Sequence, residues 1–362
     1  MEIDFQDLKP LPALAGRPWI IAGPCSAESA EQMLSVAQTL AAGGVRVLRA
    51  GVWKPRTMPG SFEGYGEKAL DWLAAAKAAT GMLTATEVAT REHTEAALDA
   101  GVDYLWIGAR TSANPFAVQE IADTIALREH KPAVLVKNPV NPDIDLWVGA
   151  LQRIYGAGVR MLAAVHRGFS TYTPSIYRNE PHWNIPFELR RRYPSLPLLC
   201  DPSHIAGRRD LVETVSERAL AMGFDGLIIE CHPEPDKALS DSQQQLTPEQ
   251  LLAMVSRLAA SEADSGVDVE LDRLRSAVDA IDHELIELLA RRMDISAEIG
   301  RYKKSRSLAV LQPRRYSAIL ESRLKAGAQL GLDEAFLKRM WDVIHEASVA
   351  RQIEVISLPK NS

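Results

Sequence analysis

Potential metal ligands cluster about two thirds of the way along the chain, directly after a short apolar, β-branched run. They are Glu230, Cys231, His232, Glu234 and Asp241. The prolines between them can continue neither a strand nor a regular helix. Carboxylate, thiol and imidazole groups at the end of a buried strand suit a divalent cation. Acidic residues also occur in solvated loops, so both interpretations are open at this point.

The bulk composition indicates a soluble globular protein. The chain has 362 residues, of which 46% are hydrophobic and 24% are charged. A net charge of −6 gives no basic surface for nucleic acid. No apolar run is long enough to span a membrane, and the first residues lack the features of a signal peptide. Three cysteines, an odd number, do not indicate a disulfide framework, so we expect a cytoplasmic protein.

Short apolar runs alternate eight times with helix-like segments in the first 260 residues. The strand-like runs are 19–22, 45–48, 83–86, 104–107, 133–136, 161–165, 198–200 and 227–229. The helix-like segments include 29–42, 67–80, 91–100, 117–129, 144–155 and 210–222, with Ser26, Thr90 and Asp143 as candidate caps. This alternation predicts a (β/α)8 TIM barrel. An open doubly wound sheet is the alternative, but no Gly-x-Gly-x-x-Gly follows the first run.

Charged and polar residues follow every predicted strand. In order they are Cys25; Arg49, Lys54, Arg56 and Thr57; Glu87; Arg110; Lys137; His166 and Arg167; Asp201 and His204; and the stretch from Glu230 to Asp241. In a barrel all eight strand ends face one mouth, where active sites form. Basic groups crowded there repel one another unless an anion offsets the repulsion. We therefore predict a polyanionic substrate that carries phosphate.

The chain changes character after about residue 260. We predict a barrel over residues 1–260, a linker over 261–267 and an all-helical domain over 268–362, including helices near 314–329 and 333–356. Apolar residues at three-four spacing form a stripe long enough to need a partner helix. These residues are Leu271, Leu274, Val278, Ile281, Leu285, Leu288, Ile295 and Ile299.

A basic residue interrupts this stripe. Arg292 stands where an apolar residue is expected, and a buried guanidinium needs either a structural partner or an anion. Lys303 lies about 20° from Arg292 around the helix and therefore shares its face. Arg275 lies about 100° away around the helix, so we expect its side chain to face a different partner, with a second chain as the natural candidate.

Several motifs carry a resemblance to two enzyme families. In residues 17–260 they are Gly23-Pro24-Cys25-Ser26, Leu48-Arg49-Ala50-Gly51, Lys54-Pro55-Arg56-Thr57, Thr86-Glu87-Val88, Ile107-Gly108-Ala109-Arg110, Asp201-Pro202-Ser203-His204, Gly207-Arg208-Arg209-Asp210, His232-Pro233-Glu234-Pro235 and Ala238-Leu239-Ser240-Asp241. This part resembles the short-barrel class of 3-deoxy-D-arabino-heptulosonate 7-phosphate synthase. Residues 268–356 resemble the all-helical chorismate mutase.

The resemblance implies a reaction for the barrel. Phosphoenolpyruvate would condense with erythrose 4-phosphate and water, releasing inorganic phosphate. The family's divalent metal, Mn²⁺ with Fe²⁺, Co²⁺ and Zn²⁺ as alternatives, would be held by Cys25, His204, Glu230 and Asp241. His232 and Glu234 are rival ligands within the loop, and we expect Cys200 and Cys231 to be core residues.

The resemblance also assigns substrate contacts in the barrel. The phosphoenolpyruvate-binding residues would be Arg49, Lys54, Arg110, Lys137 and Arg167. Lys54 would also protonate the leaving group, and Glu87 would position the attacking water. Arg56 and Thr57 would hold the aldose phosphate. The sequence departs from the family after Lys137, where Asn138-Pro139 replaces the commoner Arg-Gly, so the shape of that loop is open.

For the helical domain the resemblance implies the rearrangement of chorismate to prephenate in an intertwined homodimer. The implied binding residues are Arg275, Arg292, Lys303, Gln312, Arg315, Ser348 and Gln352. Arg275 and Arg292 would grip the two carboxylates, Arg275 in the neighbouring chain's site. Lys303 and Gln352 would donate to the ether oxygen. Gln312 and Tyr316 replace acidic residues of some members, which predicts a weaker grip on the substrate hydroxyl.

Two alternatives are weighed against this assignment. The sister barrel, 3-deoxy-D-manno-octulosonate 8-phosphate synthase, uses the same enolpyruvate chemistry on a five-carbon aldose. That family has a motif similar to Lys-Ala-Asn-Arg at the position where this chain has Lys54-Pro55-Arg56-Thr57, and it carries no mutase domain. The second alternative is that the helical domain is mainly a regulatory module. Binding of prephenate or chorismate there would give feedback inhibition of the barrel.

Overall fold

The computed structural model describes residues 5–14, 18–54, 60–172, 175–262, 269–310 and 313–357, without the side chains of residues 260–277, 280 and 313–315. The chain divides into two compact units, Met1–Asp264 and Ser265–Ser362. The last helix of the first unit, Pro248–Glu262, runs two residues into the predicted linker. The rest of that linker, apart from the division at 264, lies outside the described residues.

Eight parallel strands close into a barrel in sequence order, with the first strand paired to the last. This confirms the predicted (β/α)8 fold and excludes the open sheet. Each strand lies within two residues of its predicted position at either end. The strands are β1 (Trp19–Gly23), β2 (Val47–Arg49), β3 (Leu83–Val88), β4 (Tyr104–Ile107), β5 (Ala133–Lys137), β6 (Leu162–His166), β7 (Leu198–Cys200) and β8 (Gly226–Glu230).

Ten helices belong to the described part of the barrel unit. They are α1 (Ala30–Ala42), α2 (Glu67–Thr80), α3 (Arg91–Asp99), α4 (Ala109–Ser112), α5 (Pro115–Ala126), α6 (Ile144–Gly156), α7 (Asn184–Arg192), α8 (Pro202–Ala206), α9 (Val212–Ala221) and α10 (Pro248–Glu262). Thr90 and Asp143 accept hydrogen bonds from first-turn amides, as caps do. The prediction for Ser26 was wrong. Ser29 caps α1 instead, because the Ser26 hydroxyl bonds to Glu28 and Ser240.

Side chains that point into the barrel change from apolar to charged along four of the strands, β2, β3, β5 and β8. Successive residues of a strand face opposite sides, so every second residue points inward. Val47, Ala85, Leu135 and Ile228 belong to the apolar core inside the barrel. Two positions further along their strands lie Arg49, Glu87, Lys137 and Glu230. The same alternation that fills the interior therefore brings four charged groups to the carboxyl-end mouth.

The described part of the second unit contains three helices, α11 (Val269–Ser305), α12 (Pro313–Gln329) and α13 (Glu334–Ser357). Helix α11 packs against α13, and α12 also packs against α13. Much of the predicted apolar stripe of α11 stays exposed in the single chain. Val278, Ile281, Leu285, Leu288 and Ile295 are each at least half exposed. None of the helices in the described ranges is both long and apolar enough to cross a membrane.

Candidate active sites

Three of the four predicted metal ligands meet at the barrel mouth. The ligand atoms of Cys25, Glu230 and Asp241 all lie within 4.8 Å of one another. The fourth residue, His204, lies beside them, with its Nε2 atom 3.8 Å from Glu230 Oε1 and 3.8 Å from Asp241 Oδ2. The residues come from the loop after β1, the end of β8, the loop after β8 and the short helix α8.

Asp201 sets the orientation of the His204 ring. Its carboxylate caps α8 by accepting from the His204 backbone amide at 3.0 Å, and its Oδ2 atom lies 2.8 Å from His204 Nδ1. This interaction leaves Nε2 directed at the two carboxylates. Burial lowers the pKa of His204 below its usual range, against the opposing effect of Asp201 and Glu230. The neutral imidazole that results is the form that binds metal ions.

The donor set fits a divalent transition metal. Glu230 Oε1 is fully buried and forms an ion pair with Arg49 Nη2 at 3.1 Å, but it accepts no hydrogen bond of good geometry among the described residues. Burial, and then the Glu230 carboxylate, raise the pKa of the Cys25 thiol to about 12. A cation between these groups would offset the repulsion between the carboxylates and favour the thiolate. Thiolate, imidazole and carboxylate ligands together accept several first-row metals.

The two rival ligands point elsewhere. His232 Nε2 lies 3.3 Å from Glu28 Oε2, and His232 Nδ1 accepts from the Glu234 backbone amide at 3.0 Å. The Glu234 side chain is exposed and pairs with Lys237. Neither joins the cluster of Cys25, Glu230 and Asp241.

Arg49 and Lys54 line the cluster on its basic side. The buried Arg49 places Nη2 3.1 Å from Glu230 Oε1, while its Nε and Nη1 atoms have no acceptor among the described residues. Its guanidinium carbon lies 4.6 Å from the ring centre of Trp106. Lys54 Nζ lies 3.0 Å from Cys25 Sγ. Burial opposes the charge of Lys54, but Cys25, Glu230 and Glu87 outweigh it and raise the lysine pKa. Lys54 is therefore cationic.

Lys137 and Arg167 extend this basic surface. Lys137 Nζ lies 2.7 Å from Asp201 Oδ2 at the end of β5. Arg167 follows β6, and its Nη1 atom donates to Asn179 Oδ1 at 2.6 Å. Burial, together with repulsion from Arg178 and Arg110, lowers the pKa of Arg167 to about 10 despite the attraction of Asp201. An anion bound here would relieve this repulsion. Arg110 itself lies on α4 with its side chain exposed.

Glu87 occupies space that a glycine leaves open. A Cβ atom at Gly108 would lie 2.0 Å from Glu87 Oε1, so any larger residue would displace the carboxylate. Glu87 is half-buried at the end of β3. The remaining barrel residues that were predicted to bind substrate, Arg56 and Thr57, lie outside the described residues.

Two asparagines that the sequence reasoning missed hold the basic residues in place. Asn138, in the loop left open after Lys137, is fully buried and accepts from the Arg167 amide at 2.7 Å. Its Nδ2 atom donates to the Gly168 carbonyl oxygen at 2.8 Å. Asn179 joins the Arg167 guanidinium to the His204 carbonyl oxygen, to which it donates at 2.7 Å. The position of Asn138 directly after β5 is the one available sequence signal, since Asn179 lies 13 residues beyond the end of β6.

A cavity of about 560 Å³ opens beside the cluster. Its lining includes Asp241 together with Arg178 and Arg208. This volume lies within the roughly 300–1,000 Å³ common for small-molecule sites. None of the basic residues predicted to bind phosphoenolpyruvate lines this cavity, which meets the candidate metal centre only through Asp241 and Gln244.

The helical unit brings four predicted residues together between α11 and α13. Arg292 Nη1 donates to the Ser348 hydroxyl and, at 3.3 Å, to the Ile344 carbonyl oxygen. Lys303 Nζ donates to Gln352 Oε1 at 3.0 Å. Both cations thus meet one face of α13, as their spacing predicts. Burial, and then the neighbouring Arg323, lower the pKa of Arg292, which again favours an anion at this place.

Three further predicted residues cannot be placed. Gln312 lies outside the described residues, as do the side chains of Arg275 and Arg315. Tyr316 is placed, with its ring stacked on His345 at a centroid distance of 4.0 Å and its hydroxyl donating to Asp342. That hydrogen bond raises the pKa of Tyr316 to about 12, so the phenol is neutral.

Comparisons with known proteins agree with the division of the chain into a barrel unit and a helical unit. Residues 15–263 match the DAHP synthetase I family, and residues 274–353 match chorismate mutase type II. The phospho-2-dehydro-3-deoxyheptonate aldolase of Thermotoga maritima is 36% identical over 250 residues, covering 69% of this chain and 71% of that protein. A crystal structure of that Thermotoga maritima enzyme superposes with a TM-score of 0.61 at 35% identity, covering 71% of each chain.

Two other relatives match parts of the chain. A 2-dehydro-3-deoxyphosphooctonate aldolase of Nitratidesulfovibrio vulgaris is 26% identical over 270 residues, covering 68% of this chain and 93% of that protein. The 4-amino-4-deoxychorismate mutase of Streptomyces venezuelae is 40% identical over 75 residues, covering 21% of this chain and 73% of that protein. The chain therefore belongs to the DAHP synthetase I family and is a bifunctional enzyme, with a synthase barrel followed by a chorismate mutase type II domain.

Proposed function

We propose that the barrel condenses phosphoenolpyruvate with erythrose 4-phosphate and water to 3-deoxy-D-arabino-heptulosonate 7-phosphate and phosphate. The observation that carries this proposal is the convergence of a basic surface and a Cys, His, Glu, Asp donor set at one mouth. In the reaction the enol carbon of phosphoenolpyruvate bonds to the aldehyde carbon, water adds at C2, and inorganic phosphate leaves. Both substrates are anions, and both need a cationic environment.

Cationic side chains bind the phosphate and the carboxylate of phosphoenolpyruvate. Two buried nitrogens of Arg49 have no acceptor among the residues that the structure describes, and Lys137 and Arg167 present cations from neighbouring strand ends. Arg110, on α4, also binds phosphoenolpyruvate. Forked arginine donors suit both the phosphate and the carboxylate of the substrate. The paired contacts to Asp201 and Asn179 keep Lys137 and Arg167 oriented before substrate arrives.

Lys54 and Glu87 are placed to handle the proton and the water. The Lys54 ammonium, kept charged by its acidic neighbours, donates a proton to the departing phosphate. The Glu87 carboxylate, in the space beside Gly108, orients the water that adds to C2. A divalent metal held by Cys25, His204, Glu230 and Asp241 would polarise the aldehyde oxygen. Mn²⁺ is the metal we favour, with Fe²⁺, Co²⁺ and Zn²⁺ also compatible with these ligands.

The aldose test separates this reaction from that of the sister barrel. The barrel should release phosphate from phosphoenolpyruvate with erythrose 4-phosphate at a kcat/KM at least about 10²-fold above that with arabinose 5-phosphate, because binding geometry sets the reacting distance. A preference for the pentose would overturn the assignment. The greater identity to the heptonate enzyme than to the octonate enzyme supports the four-carbon aldose.

For the helical unit we propose the rearrangement of chorismate to prephenate. Arg292 binds one carboxylate, while Lys303 and Gln352 donate to the ether oxygen as charge develops on it. The relative in Streptomyces venezuelae is named for an amino analogue of chorismate. Turnover of both compounds should therefore be measured, and faster conversion of 4-amino-4-deoxychorismate would refute chorismate as the substrate.

The mutase proposal includes a homodimer, in which Arg275 serves the neighbouring chain's site. The half-exposed apolar side chains of α11 support it, since a solvated stripe of this length is costly. A dimer would cover that stripe and complete a site of which one chain supplies only part.

We also place the protein in the cytoplasm, in keeping with its three free and buried cysteines.

The mutase unit is also proposed to regulate the barrel. Prephenate or chorismate bound there would inhibit the synthase reaction, which requires that the ligand bind two states of the chain with different affinity. Saturating prephenate should lower the synthase rate of the whole chain and leave a chain truncated at residue 264 unaffected. Equal synthase rates with and without prephenate would contradict this regulation.

A further inference from the structure

Three consecutive glutamines follow the ligand Asp241, and they differ sharply in environment. Gln243 is exposed, whereas Gln244 is 1% exposed and Gln245 is fully buried. Buried amides are costly unless their donor and acceptor atoms both find partners. The partners of Gln244 and Gln245 are therefore informative, and both sets involve the candidate metal ligands.

Gln244 connects the two carboxylate ligands through side chains. Its Nε2 atom donates to Glu230 Oε2 at 2.7 Å, and its Oε1 atom accepts from Arg178 Nη1 at 2.7 Å. The same Arg178 nitrogen lies 3.2 Å from Asp241 Oδ1. Because Oε2 of Glu230 accepts from the amide, the buried Oε1 atom is the one that lies toward His204, at 3.8 Å, and toward Arg49 Nη2, at 3.1 Å.

Gln245 connects the first and last ligands through the backbone. Its Oε1 atom accepts from the Cys25 amide at 3.0 Å, and its Nε2 atom donates to the Ser240 carbonyl oxygen at 2.8 Å. Ser240 directly precedes Asp241, which adopts a left-handed backbone with φ of 46°. The amide thereby ties the loop after β1 to the turn that presents Asp241.

The contacts that join Gln244 to Asp241 through Arg178 depend on a glycine. Gly207 has φ of +69°, and a Cβ atom there would lie 2.2 Å from Arg178 Cβ. Gly207 therefore gives Arg178 the space to reach Gln244 and Asp241. An amide suits the central position of this path because it donates on one side and accepts on the other, while adding no charge.

We propose that Gln244 and Gln245 are positioning residues that hold Glu230, Asp241 and Cys25 in the geometry that binds the metal. This inference rests on the metal site of the proposed function. Gln244 touches a ligand side chain, whereas Gln245 touches only backbone atoms near ligands. Loss of Gln244 should consequently weaken metal binding more than loss of Gln245.

The test is a Co²⁺ titration of the metal-free whole chain. Co²⁺ is chosen because a thiolate bond to it gives a near-ultraviolet charge-transfer absorption, which reports Cys25 directly. The variants are Gln244→Met, Gln245→Met and, as the matched control, Gln243→Met, since methionine keeps the length of glutamine without its hydrogen bonds. Circular dichroism and the thermal unfolding transition of each metal-free variant, compared with those of the unmodified chain, report whether its barrel unit is folded.

Gln244→Met should bind Co²⁺ about 10–100-fold more weakly than the unmodified chain, the usual cost of losing a residue that orients a ligand. Gln245→Met should show a smaller loss, and Gln243→Met should bind within about twofold of the unmodified chain. Unchanged affinity of Gln244→Met would overturn the inference. A Gln243→Met loss as large as that of Gln244→Met would also overturn it.

A further variant keeps the test decisive if the barrel unit of Gln244→Met does not fold. Gln244→Asn keeps the amide but is shorter, so it cannot reach Glu230 and Arg178 together; an affinity equal to that of the unmodified chain would refute the positioning role. Absence of the thiolate absorption in the unmodified chain has a different meaning. It would refute the proposed metal site itself, and this inference with it.

Discussion

The barrel mouth and the site between α11 and α13 differ in how far the described residues of the chain enclose them. At the mouth, Cys25, Arg49 and Glu230 are at most 1% exposed and contact one another. Between α11 and α13, Arg292 and Lys303 are only half-buried, and the neighbouring apolar stripe of α11 stays in solvent. The first site is enclosed by its own strands, whereas the second has an open side.

Topology explains this difference. A closed barrel leaves no free sheet edge, and its eight strand ends converge on one mouth. A unit of three helices cannot cover every apolar face of a helix as long as the 37 residues of α11. The comparison teaches that the synthase site should survive changes that separate two chains, while the mutase site should not. The following substitutions test this distinction.

Cys25→Ala should have the largest effect. Loss of the thiolate ligand removes the proposed metal's polarising role, which is worth several kcal/mol, so synthase kcat should fall about 10³-fold or more. Mutase turnover by the same protein should not change. Cys200→Ala, at a buried cysteine on β7, is the control. Full synthase activity of Cys25→Ala would exclude Cys25 as a ligand.

Arg292→Ala should cause the reverse pattern. Mutase kcat/KM should fall about 10²–10³-fold, as expected when one preorganised donor to the reacting molecule is lost. The synthase rate should stay constant. Arg291→Ala, at the adjacent exposed arginine, should keep both activities. If Arg292→Ala retains mutase turnover, the pocket between α11 and α13 is not the mutase site.

Leu285→Glu places a charge within the exposed stripe and should separate the proposed dimer. Light scattering should show the molar mass reduced by half, with mutase turnover lowered about tenfold or more because each site loses the neighbour's Arg275. Synthase turnover should remain. Phe116→Glu, at an exposed aromatic residue on α5 of the barrel unit, is the control. Unchanged mass and mutase activity of Leu285→Glu would contradict the open-sided site.

Tyr316→Phe should have the smallest effect. The phenol hydroxyl already donates to Asp342, so we expect it to contribute little to substrate binding. Removal of such a half-exposed hydrogen bond costs about 0.5–1.5 kcal/mol, and mutase kcat/KM should stay within about threefold. Thermal unfolding and mutase kinetics together check this. A tenfold loss of kcat/KM at unchanged stability would show that the hydroxyl contacts the substrate.

The barrel and its charged strand ends could be predicted from sequence because both depend on short-range alternation. An inward residue near the end of a strand is marked by period-two spacing, which identifies Arg49, Glu87, Lys137 and Glu230. The structure places these residues at the mouth, where the sequence puts them. Their roles in the reaction remain predictions.

The supporting contacts could not be predicted because they join residues far apart in the chain. Nothing near Gln244 in the sequence indicates that its amide reaches Glu230, and Asn138 and Asn179 meet Arg167 only after strands β5 and β6 pair. The wrong prediction that Ser26 caps a helix has the same origin. Its hydroxyl bonds to Ser240, a residue that only closure of the barrel brings near.

Chelation tests the central claim that one chain carries one metal-dependent site and one site that needs no metal. Synthase and mutase rates should be measured on a single preparation before exhaustive chelation, after it, and after addition of Mn²⁺. A metal-dependent synthase site predicts that the synthase rate falls below about 1% of its starting value and returns with Mn²⁺, because the metal would polarise the aldehyde, while the mutase rate stays constant. Full synthase activity in the chelated protein, with its metal content shown to be negligible, would contradict it.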